Sequence, residues 1–197
     1  MAVTVRFVGS GDSFGSGGRF QTCTLVDGPR CRFAVDFGAS SLIALAQPGI
    51  EHNSIDAVLL THLHGDHAAG VPFLLMDAML AARRTRPLTI AGPRELRVRM
   101  DAIREALFPG SHVMTPRFPV DWIPPCCASR WGTRPSATPA TPTGPTRSPA
   151  PRKIPITTHA GRVGARRLIL THMSREMRAR AADVSEQCAY DGLVVTL

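Results

Sequence analysis

Thr61-His62-Leu63-His64-Gly65-Asp66-His67 holds three histidines and one aspartate within the six positions 62–67. It follows Ala57-Val58-Leu59-Leu60, and the apolar run predicts a strand over 57–61 buried on both faces. His62 and His64 are two apart, so a chain leaving a strand turns both imidazoles the same way. Asp66 and His67 follow in the turn and reach a second point nearby. Neutral imidazole and carboxylate suit zinc, with manganese and iron as alternatives, and the spacing suits two adjacent ions better than one. Histidines gathered in a loop by chance would not be expected with an aspartate among them and a buried strand before them.

Outward from this stretch the pattern alternates between strands and helices. Residues 3–8, 22–26 and 32–36 predict strands, the last two joined by a turn at Asp27-Gly28-Pro29. A short helix is expected over 39–46, stopped by Pro48-Gly49. A helix over 68–84 carries Met76, Met79 and Leu80 at helical spacing, a stripe that reads as core. A strand over 88–91 and a helix over 94–107 follow. Late in the chain, 168–170 reads as a strand, 175–189 as a helix and 193–196 as a closing strand. Short strands, then helices, then strands again point to α/β layers with mixed sheets.

The 197 residues, 44% hydrophobic and 19% charged, suit one domain spanning 1–197. No apolar run approaches the roughly 18–20 residues of a membrane span. Residues 1–8 alternate like a strand rather than running apolar like a signal peptide, so a cytoplasmic protein without a membrane role is expected. Five scattered cysteines do not read as a disulfide framework. The net charge of +8 is local. Residues 122–175 hold nine Arg and Lys and no acid, and the remainder carries 14 positive against 15 negative residues. That window reads either as a basic RNA-gripping segment, which would bind in a salt-sensitive way, or as an odd insert. Eleven of the seventeen prolines lie between 116 and 155. The Pro/Ala/Thr/Arg-rich segment 124–153 lacks periodicity, and such composition predicts disorder.

His62-Leu63-His64-Gly65-Asp66-His67, with Gly70 beyond, resembles the His-x-His-x-Asp-His signature of the metallo-β-lactamase-fold hydrolases. Gly9-Ser10-Gly11-Asp12-Ser13 and Gly17-Gly18-Arg19-Phe20-Gln21-Thr22-Cys23 look like the glycine-rich opening of ribonuclease Z and its small phosphodiesterase relatives. Leu168-Ile169-Leu170-Thr171-His172-Met173-Ser174 is similar to the strand end that supplies a later metal ligand in that branch. The resemblance covers about 3–122 and 166–197. It implies an αββα sandwich, truncated or disrupted in its second half. It also implies that His62 and His64 bind one metal, that Asp66, His67 and His172 bind a second, and that Asp66 orients a bridging hydroxide. Two zinc ions in intact relatives become one on the ligands present here. The implied substrate is a phosphodiester: an RNA precursor, or a small cyclic or nucleotide phosphodiester. The arm with which ribonuclease Z grips transfer RNA is not recognisable, which favours the smaller substrate. A homodimer stays open. The early glycines admit two readings, a phosphate cradle of backbone amides or plain tight turns.

The resemblance also calls for a further histidine and a bridging aspartate between Leu107 and Leu168. No Asp occurs between Asp121 and Asp183, and the histidines between Leu107 and His172 are His112 and His159 alone. An out-of-frame segment with a deletion just before it would account for this, the frame for the aspartate and the deletion for the histidine. Codons for 131–146, read from their last bases, permit Gly-Asp-Thr-Thr-Ile-Ser-Tyr-Ser-Gly-Asp-Thr-Asp-Trp-Thr-Asp, one base of each codon being free. The segment 124–153 is thus either disordered as written or out of frame. An enzyme, a metal-poor inactive relic and a basic RNA-binding protein are the three functional expectations.

Overall fold

The protein is represented by a computed structural model that describes residues 2–124 and 167–197. The first strands are β1 (Thr4–Gly9), β2 (Cys23–Asp27), β3 (Arg32–Val35) and β4 (Ala57–Leu59). β5 (Leu88–Ala91), β6 (Val120–Ile123), β7 (Ile169–Leu170), β8 (Gln187–Cys188) and β9 (Val194–Thr196) follow. The helices are α1 (Ser41–Ala46), α2 (Gly65–Ala68), α3 (Gly70–Leu80), α4 (Leu96–Leu107) and α5 (Arg175–Ala179). Among the described residues the strands form a seven-stranded sheet, ordered β6-β5-β4-β3-β2-β1-β9, and a separate β7-β8 pair.

Strand direction decides where chemistry can gather. β3, β4, β5 and β6 run parallel, and β1 shares their direction because it pairs antiparallel with β2, which pairs antiparallel with β3. The carboxyl ends of β1, β3 and β4 therefore open on one edge, where α/β sheets bind ligands.

The main core lies on one face of the sheet. Leu25, Ala34, Val58, Leu88 and Ile90 pack there against Leu45, Val71, Leu74, Leu75 and Met100 of the helices. A smaller cluster of Phe7, Ala189, Leu193 and Val195, with Val5 and Ile169 against it, ties β1 and β9 to the β7-β8 pair. Asp191 adds a polar tether. Its Oδ1 accepts the Ser10 N–H at 2.8 Å and the Ser10 hydroxyl at 2.7 Å, and its Oδ2 accepts the Phe20 N–H at 2.7 Å.

Three sequence expectations are corrected, and one strand is added. The strand predicted over 57–61 ends at Leu59, and Leu59 is 37% exposed. Pleat alternation puts it opposite Val58, away from the main core. Leu80 of the Met/Leu stripe is exposed at the end of α3, whereas Met76 is buried. The helix predicted over 175–189 stops at Ala179, and Gln187–Cys188 instead pairs in parallel with Ile169–Leu170. β6, bounded by Pro119 and Pro124, was not expected; it pairs with β5. Segment 124–153 and His159 lie outside the described residues, apart from Pro124 itself. No helix of the described residues is long and apolar enough to cross a membrane.

Candidate metal centre

The motif leaves β4 and enters α2, so Asp66 and His67 sit in a first helical turn rather than an open turn. Backbone bonds stitch this segment to the end of β3: Phe37 N–H to the His67 carbonyl at 2.6 Å, and Gly70 N–H to the Phe37 carbonyl at 2.9 Å. The approach is so close that a Cβ on Gly38 would lie 2.4 Å from the Asp66 carbonyl oxygen. Only glycine permits it. From the other side, His172 follows β7, and its N–H reaches the Ser10 carbonyl beyond β1 at 3.0 Å. His172 holds a left-handed backbone, φ 58°.

One ligand atom each from Asp66, His67 and His172 lies within 4.8 Å of the others. His67 Nε2 is 3.3 Å and His172 Nε2 is 3.6 Å from Asp66 Oδ2. The His62 ring centroid stands 3.9 Å from that of His67 and 4.7 Å from that of His64. All five residues read from the sequence therefore gather at one place.

The hydrogen bonds of His62, His67 and His172 fix which nitrogen of each of these three rings is free. Asp36, buried, accepts the Thr61 N–H at 2.8 Å and the Thr61 hydroxyl at 2.9 Å, and meets His67 Nδ1 at 2.8 Å. A carboxylate only accepts, so His67 Nδ1 carries the proton and Nε2 presents a lone pair. With its proton committed to Asp36, the Thr61 oxygen accepts from His62 Nδ1 at 3.0 Å, which leaves His62 Nε2 free. His172 Nδ1 lies 3.1 Å from the Gly11 carbonyl and 3.2 Å from the Thr22 hydroxyl. The carbonyl can only accept, so His172 Nε2 is free as well. Three imidazoles thus offer lone pairs beside one carboxylate, a donor set that fits zinc.

Burial would raise the Asp66 carboxyl. A hydrogen bond from the Ser13 side chain and the neighbouring His67 and His172 outweigh it and hold Asp66 below its ordinary value. Burial, then His67 and His64, push His62 down against the opposing pull of Asp36 and Asp66. Both shifts favour the ligand forms, carboxylate and neutral imidazole.

Asp36, Thr61, Ser13 and Thr22 escaped the sequence reading. Asp36 stands at the end of a strand in Val35-Asp36-Phe37-Gly38, a position that by itself carries no mark of its partners. The glycine question resolves toward turns at Gly17, where φ is +72° and the Arg178 guanidinium occupies the space a side chain would need. His112 is exposed and bonds Glu105 Oε2 at 3.1 Å, and His52 pairs with Asp77, so neither joins the centre.

The family model of the Anti-Pycsar protein Apyc1 matches residues 3–107. A ribonuclease Z of Lachnoclostridium phytofermentans is 37% identical over 87 residues, which are 44% of this chain and 28% of the relative. The chain spans about a third or less of the length of the first curated relatives it matches. The short form of human tRNase Z superposes with a TM-score of 0.51 at 27% identity, over 62% of this chain and 47% of the other. A diphosphatase of the PhnP family superposes with a TM-score of 0.63 over 98% of this chain and 97% of its own, at 14% identity, a likeness of fold alone. The expected metallo-β-lactamase fold is the one observed, its second sheet reduced to β7-β8 among the described residues.

Proposed function

Because the chain belongs to the Anti-Pycsar protein Apyc1 family, we propose that it is a metal-dependent phosphodiester hydrolase in which His62 and His64 hold one ion and Asp66, His67 and His172 hold a second. The observation that carries this is the triad of Asp66, His67 and His172 within 4.8 Å, with Asp36, Thr61 and Gly11 turning the ring lone pairs outward. Zinc, when bound, supplies a Lewis acid and a water of lowered pKa. The chain's own part is to present unprotonated Nε2 atoms and to keep Asp66 ionised. Asp66 then orients the attacking water by accepting its hydrogen bond. The relatives named ribonuclease Z and tRNase Z support a phosphodiester of nucleic acid type. A small nucleotide phosphodiester is the reading we favour, with precursor RNA as the other member of that class. A soluble, cytoplasmic setting goes with either substrate.

A second reading is an inactive relic that keeps the fold and one ion. It is favoured by the lack of any Asp between Asp121 and Asp183, where the resemblance calls for a bridging carboxylate. Metal analysis of the purified chain, paired with hydrolysis of bis(p-nitrophenyl) phosphate, separates the two. Turnover that a chelator abolishes and zinc restores, with about two ions per chain, supports the enzyme. One ion or none, without turnover, supports the relic. Resequencing the gene through codons 124–153 tests the frame explanation: a clean read whose neighbouring frame lacks Ser-Gly-Asp-Thr ends it.

A further inference from the structure

We propose that Phe14 is the platform on which this chain stacks the nucleobase attached to the phosphate it binds, an inference that rests on the phosphodiesterase reading. Phe14 is 93% exposed, the most exposed large hydrophobic side chain among the described residues. Nearly full exposure of an aromatic ring forgoes the gain that burial would bring. Phe20, six positions on in the same loop, takes that gain by packing against the main core.

Phe14 sits on an ordered loop. Asp12 Oδ1 accepts the Phe14 N–H at 3.2 Å and the Ser16 N–H at 2.9 Å, and Asp12 Oδ2 accepts the Ser16 hydroxyl at 2.7 Å. Gly15 N–H reaches the Asp12 carbonyl at 3.2 Å, and Gly11 N–H closes the base of the loop on the Phe20 carbonyl at 2.7 Å. Arg178 Nη1 donates to the Ser16 carbonyl at 2.6 Å from the far side. The ring is therefore presented by a backbone held on several sides.

The loop is also part of the centre. Ser13, the residue before Phe14, hydrogen-bonds Asp66 through its side chain. Its carbonyl accepts the Gln21 amide at 3.1 Å. The Gly11 carbonyl, three residues before Phe14, orients His172. Successive Cα atoms are about 3.8 Å apart, so Phe14 begins one residue from a group that touches a ligand carboxylate. In this proposal a base joined to a phosphate at the centre stacks on the aromatic face of the residue next to Ser13. Every base has such a face, so the contact selects nucleotides over plain phosphates without selecting one base.

The test is calorimetric binding of adenosine monophosphate and of methyl phosphate to the full zinc-loaded chain, which needs no turnover. The wild type is expected to bind the nucleotide about tenfold tighter than methyl phosphate. Phe14→Ala, at unchanged zinc content, should lose that preference and keep its methyl phosphate affinity. Phe14→Tyr should retain the preference. Methyl phosphate binding with no nucleotide preference in the wild type overturns the platform alone, as does a preference that survives in Phe14→Ala. A wild type that binds neither ligand overturns the phosphodiesterase reading and the platform with it.

Discussion

Asp36 Oδ2 lies 2.8 Å from His67 Nδ1, and the same carboxylate takes both donors of Thr61. One buried group thereby sets the tautomer of two histidines, His67 directly and His62 through the Thr61 hydroxyl. Ligand orientation here is a property of the end of β3 as much as of the motif itself.

Asp36→Asn therefore disturbs metal binding without removing a ligand. The amide offers one acceptor oxygen where the carboxylate had two, and its NH2 group faces donors. Zinc affinity should fall about 10–100-fold, as for other residues that orient metal-ligating histidines. Folding stability should fall by about 1–3 kcal/mol from the buried polar groups left unpaired. Chelator competition and chemical denaturation measure the two effects, and an unchanged zinc affinity would refute the orienting role.

His62→Ala combined with His64→Ala should remove most bound metal, because both imidazoles are proposed to serve the same ion. Elemental analysis after dialysis reads this directly. Wild-type metal content in the double variant would mean the site is elsewhere.

At His172 the backbone and the ring can be separated. Its φ of 58° suits Asn far better than Ala. His172→Asn and His172→Ala should both bind less metal, but the alanine variant should be the less stable by about 1 kcal/mol. Equal stabilities in denaturant titrations would show that the left-handed backbone carries no such cost.

Glu105 supplies a pH signature remote from the centre. The Gly110 N–H, then the His112 N–H, hold its carboxyl down at about 2 from 4.5. A depressed pKa means the contribution is fully present above the unfolded value and is lost as pH falls through the folded one. The stability gap between wild type and Glu105→Gln should be constant above pH 4.5 and shrink toward pH 2. A gap that does not change over this window would refute the assignment.

The motif and its strand were legible because ligands two and three apart after an apolar run leave a mark in sequence. Asp36 was not, because its partners are 25 and 31 residues away and nothing local ties a lone aspartate at a strand end to them. β6 was hidden between two prolines, and its four residues become a strand only by pairing with β5. The helix expected over 175–189 overran because a polar stretch carries little period. Its last part is claimed by pairing with β7, a tertiary preference that propensity does not record.

The tether from Asp191 to Ser10 spans 181 residues of sequence. The glycine-rich loop, the first part of the proposed centre to be synthesised, is held by a residue made long after it. At about 5–20 residues per second, a ribosome leaves that loop without its anchor for on the order of ten seconds. The Thr61–His67 half of the centre emerges well before His172, so the donor set stays incomplete during translation. Assembly of the proposed donor set is thereby deferred until His172 has emerged, and release of the polypeptide before that point yields a product unable to complete it.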